Sequence, residues 1–168
     1  MKTRTTYVVG GVRIPFMKSM TAYRDVTTPE LMTASLKSLV ERYNLKGKVV
    51  GDVALGALMQ SSANWNFARE VVQASGLHPN TPAYNVQRAC GTSLETTIQI
   101  AHKISSYQIE SGIAGGVDSN SDLPIMVTRS FSQKLVALNS ARTLGEKLRI
   151  FLSFRPSDLK PVPPAVVE

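Results

Sequence analysis

The chain has 168 residues, 43% of them hydrophobic, and a formal net charge of +7 from 19 basic and 12 acidic side chains, so it can bury a core of its own and is too apolar for extended disorder. Its single cysteine, Cys90, excludes an internal disulfide, and no paired Cys/His spacing suits zinc, so a cytoplasmic, reducing setting without structural metal is expected. No apolar run reaches membrane-spanning length, and the basic opening Met1 to Thr6 runs straight into a strand-like segment without the features of a signal peptide.

In chain order, the β-branched run Tyr7 to Val12 predicts a strand covered on both faces. A helix follows from Pro29, with Thr28 as its cap and Met32, Leu36, Leu39, Val40 and Tyr43 as an apolar stripe; Gly47 lies just past its end. Val53 to Leu58 reads as a second strand, Gln60 to Asn64 as a loop, and Asn66 to Ser75 as a helix closed by Gly76. A third strand, Pro82 to Val86, turns through Gln87-Arg88-Ala89 into a helix from Gly91 to Gln108, whose buried stripe is predicted as Leu94, Ile98, Ala101 and Ile104. Ile109 to Ala114 reads as a fourth strand ending in a Gly115-Gly116 turn. Strands alternating with helices long enough to cross over predict an α/β fold with a parallel sheet and helices on both faces.

After Pro124 the character changes. Two amphipathic pieces, Phe131 to Leu138 and Leu144 to Phe154, precede a tail in which Pro156, Pro161, Pro163 and Pro164 forbid regular helix. Residues 125–168 carry seven Lys or Arg against three acidic residues, a net +4. Such a stretch is either a solvated face or a surface for an anionic partner. No zinc-finger or RNP-type motif accompanies the charge, so nucleic acid is not the expected partner.

Cys90 is the residue most suited to chemistry. It stands where the third strand passes into a helix, at the strand-end edge where open α/β sheets bind ligands. The partial positive charge and unpaired N–H groups of a helix start favour a thiolate and can steady an oxyanion. Gly91 admits close approach of a ligand, and Thr92 and Ser93 can bond the first free amides. From these residues alone two readings stand: a nucleophile, or a small buried apolar filler. His78, in a turn, and His102, within a helix, read as structural, and a cysteine protease is disfavoured because neither is presented as a base.

The run Asn85-Val86-Gln87-Arg88-Ala89-Cys90-Gly91-Thr92-Ser93-Leu94-Glu95, followed by a helix and by Ile113-Ala114-Gly115-Gly116-Val117-Asp118-Ser119-Asn120-Ser121, closely resembles the acylated-cysteine region of thiolases. Val8 to Phe16, with its Arg13-Ile14-Pro15-Phe16 turn, Gly56 to Gln60 and Asn66 to Arg69 resemble other segments of that family in the same order. The match at Asn85 to Leu94 favours thiolases over ketoacyl synthases. The resemblance implies a thiolase-like N-terminal core over 1–124 and, over 125–168, the beginning of an inserted loop domain that helps hold coenzyme A. Leu144 to Leu148 with Phe154-Arg155-Pro156 looks most like the thiolase subunit of the fatty-acid β-oxidation multienzyme complex.

What the resemblance implies for function is an acyltransferase. Cys90 takes an acyl group from 3-ketoacyl-CoA and a second coenzyme A accepts it, or the steps run backward as a Claisen condensation. Coenzyme A and acyl-CoA are then substrates, with no bound cofactor, no metal and no assigned cofactor-binding residues. The implied assembly has at least two copies, with Gln60 to Arg69 and the third strand near the contact, and can include a β-oxidation partner subunit. The family's Gly-His-Pro and Cys-x-Gly motifs, which handle protons, and its Asn-Glu-Ala-Phe motif do not occur in these 168 residues. Poor turnover by the chain itself is therefore expected, with an exposed sheet edge and uncovered apolar surface. The alternative is a non-catalytic chain that binds acyl-CoA or pairs with another subunit.

Overall fold

Alternation along one short strand explains the layering of the fold. In β1 (Asp52–Gly56) Val53 and Leu55 point to one side and Asp52, Ala54 and Gly56 to the other, and all five residues are buried. β1 is the middle of a three-stranded parallel sheet between β2 (Ala83–Val86) and β3 (Gly112–Gly116), in the order β2-β1-β3. Val53 pairs with Ala83 and Ile113, and Gly56 with Val86 and Gly116. The computed structural model describes residues 3–124, 126–160 and 162, and the chain divides into two units, Met1–Leu123 and Pro124–Glu168.

On the Val53/Leu55 side lie α1 (Thr28–Arg42) and α2 (Phe67–Ser75). Met32, Leu36 and Val40 of α1 meet Phe67, Ala68, Val71 and Val72 of α2 over Val53, Leu55 and Ile113, forming the main core. The stripe predicted for α1 is the one buried, but its cap is Thr27 rather than Thr28. Thr27 Oγ1 accepts from Glu30 N–H and the Glu30 carboxylate accepts from Thr27 N–H, a capping box that leaves Pro29 inside the first turn. α2 starts and ends as its sequence dictates, on the Asn66 cap and on Gly76 at φ 92°.

The opposite side is covered by α3 (Thr92–Ser105), and of the expected stripe Ile104 packs on the core and Ala101 is half-buried, whereas Leu94 and Ile98 face outward. Thr92, Thr96 and Ile100 face the sheet, while Leu94 and Ile98 are 65% and 40% exposed. Threonine can line this contact because its hydroxyl is satisfied locally: Thr96 Oγ1 donates to Ser93 C=O (2.8 Å) and approaches Gly115 C=O (3.3 Å). Glycines on the sheet let the helix come close. A Cβ on Gly112 would lie 2.7 Å from Ile100 Cγ2, and one on Gly116 2.7 Å from Ser93 Cβ. Gly115 and Gly116 are thus the last residues of β3 rather than the predicted turn after it. Asp52, buried at the start of β1, is paired with Lys103 Nζ (2.5 Å), which lies 4.2 Å from the centre of the Tyr84 ring.

The predicted first strand does not form. Tyr7, Val8 and Val9 are 77–86% exposed and pair with no strand among the described residues. Upstream, Arg4 N–H donates to Ser105 C=O and Thr6 Oγ1 to Ala101 C=O, so the segment is tied to the end of α3. β-branched composition supplies a propensity; a strand also needs a ladder partner.

In the second unit, α4 (Arg129–Ser140) and α5 (Leu144–Leu152) are capped by Thr128 and Thr143, each accepting from an N–H three residues on. Phe131 and Phe151 both meet Phe154 edge-on, at centroid distances of 5.5 and 6.1 Å. A 3₁₀ turn, Pro156–Leu159, follows, in which Asp158 is buried against Lys134. The predicted proline-rich tail lies, Val162 and the residues up to Lys160 apart, outside the described residues. No described helix is long and apolar enough to cross a membrane.

Candidate active site

The three strands end together, and the loops that leave them are laced by side chains. After β1, Leu58 N–H donates to Asp118 Oδ1 (2.6 Å), which follows β3, and Leu58 C=O accepts from Gln87 Nε2 (2.6 Å), which follows β2. Gln60 Nε2 reaches back to Val86 C=O (3.4 Å), and Val117 N–H donates to Gly56 C=O (3.0 Å). Within β2, Asn85 Oδ1 accepts from Ala68 N–H (2.8 Å) in the first turn of α2.

Cys90 sits on the elbow this lacing supports. Its thiol is free and exposed, so it is no core filler. Ala89, just before it, has φ 42°, a left-handed conformation that costs a residue with a Cβ roughly 1–2 kcal/mol. Local bonds hold the bend: Gly91 N–H donates to Arg88 C=O (2.9 Å), Arg88 N–H to Thr92 Oγ1 (2.9 Å), and Thr92 Oγ1 to Ala89 C=O (2.8 Å). Thr92 thus fastens the elbow and does not bond the first amides of α3 as expected, and its Gly91 cap has no side-chain bond. Among the described residues the N–H groups of Ser93 and Leu94 have no acceptor, so two donors remain in the first turn of the helix that follows Cys90. Glu95 in the same turn is bonded by Gln99 (2.9 Å) and Arg88 (2.5 Å), which in that order hold its carboxyl below the usual range.

The histidines lie elsewhere. His78 precedes β2, at the other end of the sheet, where its Nδ1 accepts from Asn80 N–H (3.1 Å). His102 stands twelve residues beyond Cys90 on α3, about 18 Å along a helix axis. No cluster of His, Cys, Asp and Glu among the described residues could hold a metal ion.

A strand, a left-handed elbow and a helix start carrying one exposed thiol is the element that family comparison decides. The profile described as "Thiolase, N-terminal domain" matches residues 6–146. The chain belongs to the thiolase family. Proteins named 3-ketoacyl-CoA thiolase from Shewanella amazonensis and from Shewanella sp. strain W3-18-1 are 44% and 42% identical over 161 residues, 96% of this chain. This thiolase chain spans 37% of the length of those relatives. The crystal structure of the Bacillus anthracis acetyl-CoA acetyltransferase superposes with a TM-score of 0.62 at 28% identity, covering 66% of this chain and 28% of that one. The α/β fold with its parallel sheet agrees with that neighbour.

Sequence reasoning located Cys90 and the strand-end edge, and missed Ala89, Gln87 and Asp118. Alanine gives no signal of a left-handed conformation. The other two lie inside the quoted motif, but their partners are the backbone N–H and C=O of Leu58, which no motif displays.

Proposed function

We propose that the chain provides the acyl-carrying half of a thiolase acting on 3-ketoacyl-CoA in fatty-acid β-oxidation, with Cys90 as nucleophile. The observation that supports it is the exposed sulfur on a strained elbow that leads into a helix start with two unpaired N–H groups. The Cys90 sulfur adds to the C3 carbonyl carbon, and the C2–C3 bond breaks. Its electron pair leaves with C2 as the enolate of acetyl-CoA, which takes up a proton. The acyl group stays on sulfur as a thioester until the thiol of a second coenzyme A displaces it, returning the Cys90 thiol. The basic 125–168 stretch suits the phosphates of coenzyme A, as the loop domain of the family does.

Neither histidine is placed to exchange protons with Cys90, so this reading has the chain accept an acyl group without turning over. Incubation with acetyl-CoA or acetoacetyl-CoA, followed by intact-mass and peptide mass spectrometry, tests it. One acetyl group is expected on the Cys90 peptide and none in Cys90→Ser, with no steady-state thiolysis of acetoacetyl-CoA. Labelling that survives Cys90→Ser, or none in the unsubstituted chain, refutes the assignment. The exposed Leu94 and Ile98 favour a second reading, in which the chain pairs with another copy or subunit without chemistry.

A further inference from the structure

We infer that Gln87 and Asp118 are positioning residues for Cys90, acting in series through the Leu58–Met59 peptide group. The inference rests on Cys90 being the acyl carrier. Leu58 leaves β1 at the strand-end edge of the sheet, and each polar atom of its backbone is taken by a different neighbouring loop. Asp118 Oδ1 accepts from its N–H at 2.6 Å and from Met59 N–H at 3.4 Å, which fixes the loop to the end of β3. Gln87 Nε2 donates to its C=O at 2.6 Å. Gln87 is three residues before Cys90, and only Arg88 and the left-handed Ala89 intervene.

A strained φ persists only where its surroundings over-determine it. From the helix side, Thr92 holds the elbow through Arg88 N–H and Ala89 C=O. From the strand side, Gln60 Nε2 reaches Val86 C=O at 3.4 Å and Gln87 grips Leu58 C=O at 2.6 Å, and Gln87 is no more fixed than the carbonyl it grips. That carbonyl shares its peptide plane with Met59 N–H, which Asp118 Oδ1 accepts at 3.4 Å while it holds the preceding plane through Leu58 N–H at 2.6 Å. A peptide unit is rigid, so a bond to its N–H orients its C=O. Orientation matters here because the sulfur must approach a carbonyl carbon along a defined line.

A serial link makes a specific prediction. With acetyl-CoA as acyl donor, the saturating rate of Cys90 acylation, read by quenched-flow mass spectrometry, falls about tenfold or more in Gln87→Met and in Asp118→Ala, because a small misplacement of reacting atoms is amplified in the rate. The acetyl-CoA concentration giving half-maximal rate stays within about twofold, and so does alkylation of Cys90 by iodoacetamide, which requires no oxyanion alignment. Asp118→Asn, which keeps an acceptor oxygen, restores most of the rate. The double variant Gln87→Met/Asp118→Ala is no slower than the slower single one, since both cut the same link.

Unchanged acylation in both single variants, losses that multiply in the double variant, or a parallel fall in alkylation and acylation overturns the inference. If Asp118→Ala fails to fold, Gln87→Met and Asp118→Asn still decide it, the first by losing rate and the second by retaining it. Absence of acylation in the unsubstituted chain overturns the assignment of Cys90 itself, whereas normal acylation with insensitive variants overturns only the positioning roles.

Discussion

At the residue scale, Asp158 offers a titration that reports on its surroundings. Its Oδ2 accepts from Lys134 Nζ (2.6 Å) and from Arg155 N–H (2.9 Å), and these bonds, Lys134 first, lower its pKa from an ordinary 3.8 to about 2. Lys134 also donates to Ser153 C=O (2.7 Å), so the ion pair gathers α4, the end of α5 and the 3₁₀ turn. A depressed folded-state pKa means that the unfolded chain binds the proton more readily. The stabilisation is therefore complete above the ordinary carboxylate value and is lost as pH falls from about 4 toward 2. NMR titration of the Asp158 carboxyl carbon should give a midpoint near 2. The Arg155 amide should lose exchange protection over the same interval, whereas in Asp158→Asn that protection should be weaker and flat with pH. A midpoint near 3.8, or identical profiles in the two proteins, would show that the lysine does not hold the carboxylate.

At the element scale, the decisive contact is between α3 and the sheet. Gly56 is where they touch: a Cβ there would fall 1.9 Å from Val86 C=O and 2.6 Å from Thr92 Cγ2. The first neighbour is the backbone of the adjacent strand and cannot rotate away. Gly56→Ala is expected to destabilise the first unit by about 3 kcal/mol or more and to displace the start of the Cys90 helix, measured by urea denaturation followed through far-UV circular dichroism. A loss below about 1 kcal/mol would mean that α3 docks less closely than its geometry indicates. The same contact marks what the sequence could disclose. Asn66 and Gly76 bound α2 by rules that act within a few residues, and the alternation of strands with helices is a pattern of the chain itself. The seated face of α3 is different. Thr92 and Thr96 are satisfied by carbonyls three residues back, so they can be buried while Leu94 and Ile98 face outward, and hydrophobic periodicity selects the wrong residues in the first half of the helix. Tyr7 to Val12 fails as a strand for a related reason: its propensity is local, and its partner is not. The elbow at Cys90 is legible because a strand-to-helix junction is a local event, whereas the hydrogen bonds that lace the loops beside it join segments up to 60 residues apart.

For the whole molecule, the outward face of α3 has a cost. Leu94 and Ile98 are one turn apart and exposed, and Tyr7, Val8, Val9 and Phe16 add further uncovered apolar area on the first unit. Water-exposed apolar side chains that adjoin one another favour association, and each Leu or Ile buried from full exposure contributes about 1.5–3 kcal/mol. The chain is therefore expected to self-associate as concentration rises, and sedimentation velocity at several loadings reads this directly. Leu94→Gln/Ile98→Gln should shift the distribution toward the monomer. Neither side chain packs into the two core clusters, so the thermal midpoint should stay close to that of the parent chain. Adding coenzyme A separates two origins of the effect. Association that is unchanged by coenzyme A belongs to the apolar face, and association that follows addition of coenzyme A belongs to the basic 125–168 stretch. If the double variant associates as strongly as the parent, the apolar face of α3 is not what drives assembly, and the exposed Tyr7 to Phe16 segment becomes the surface to substitute next.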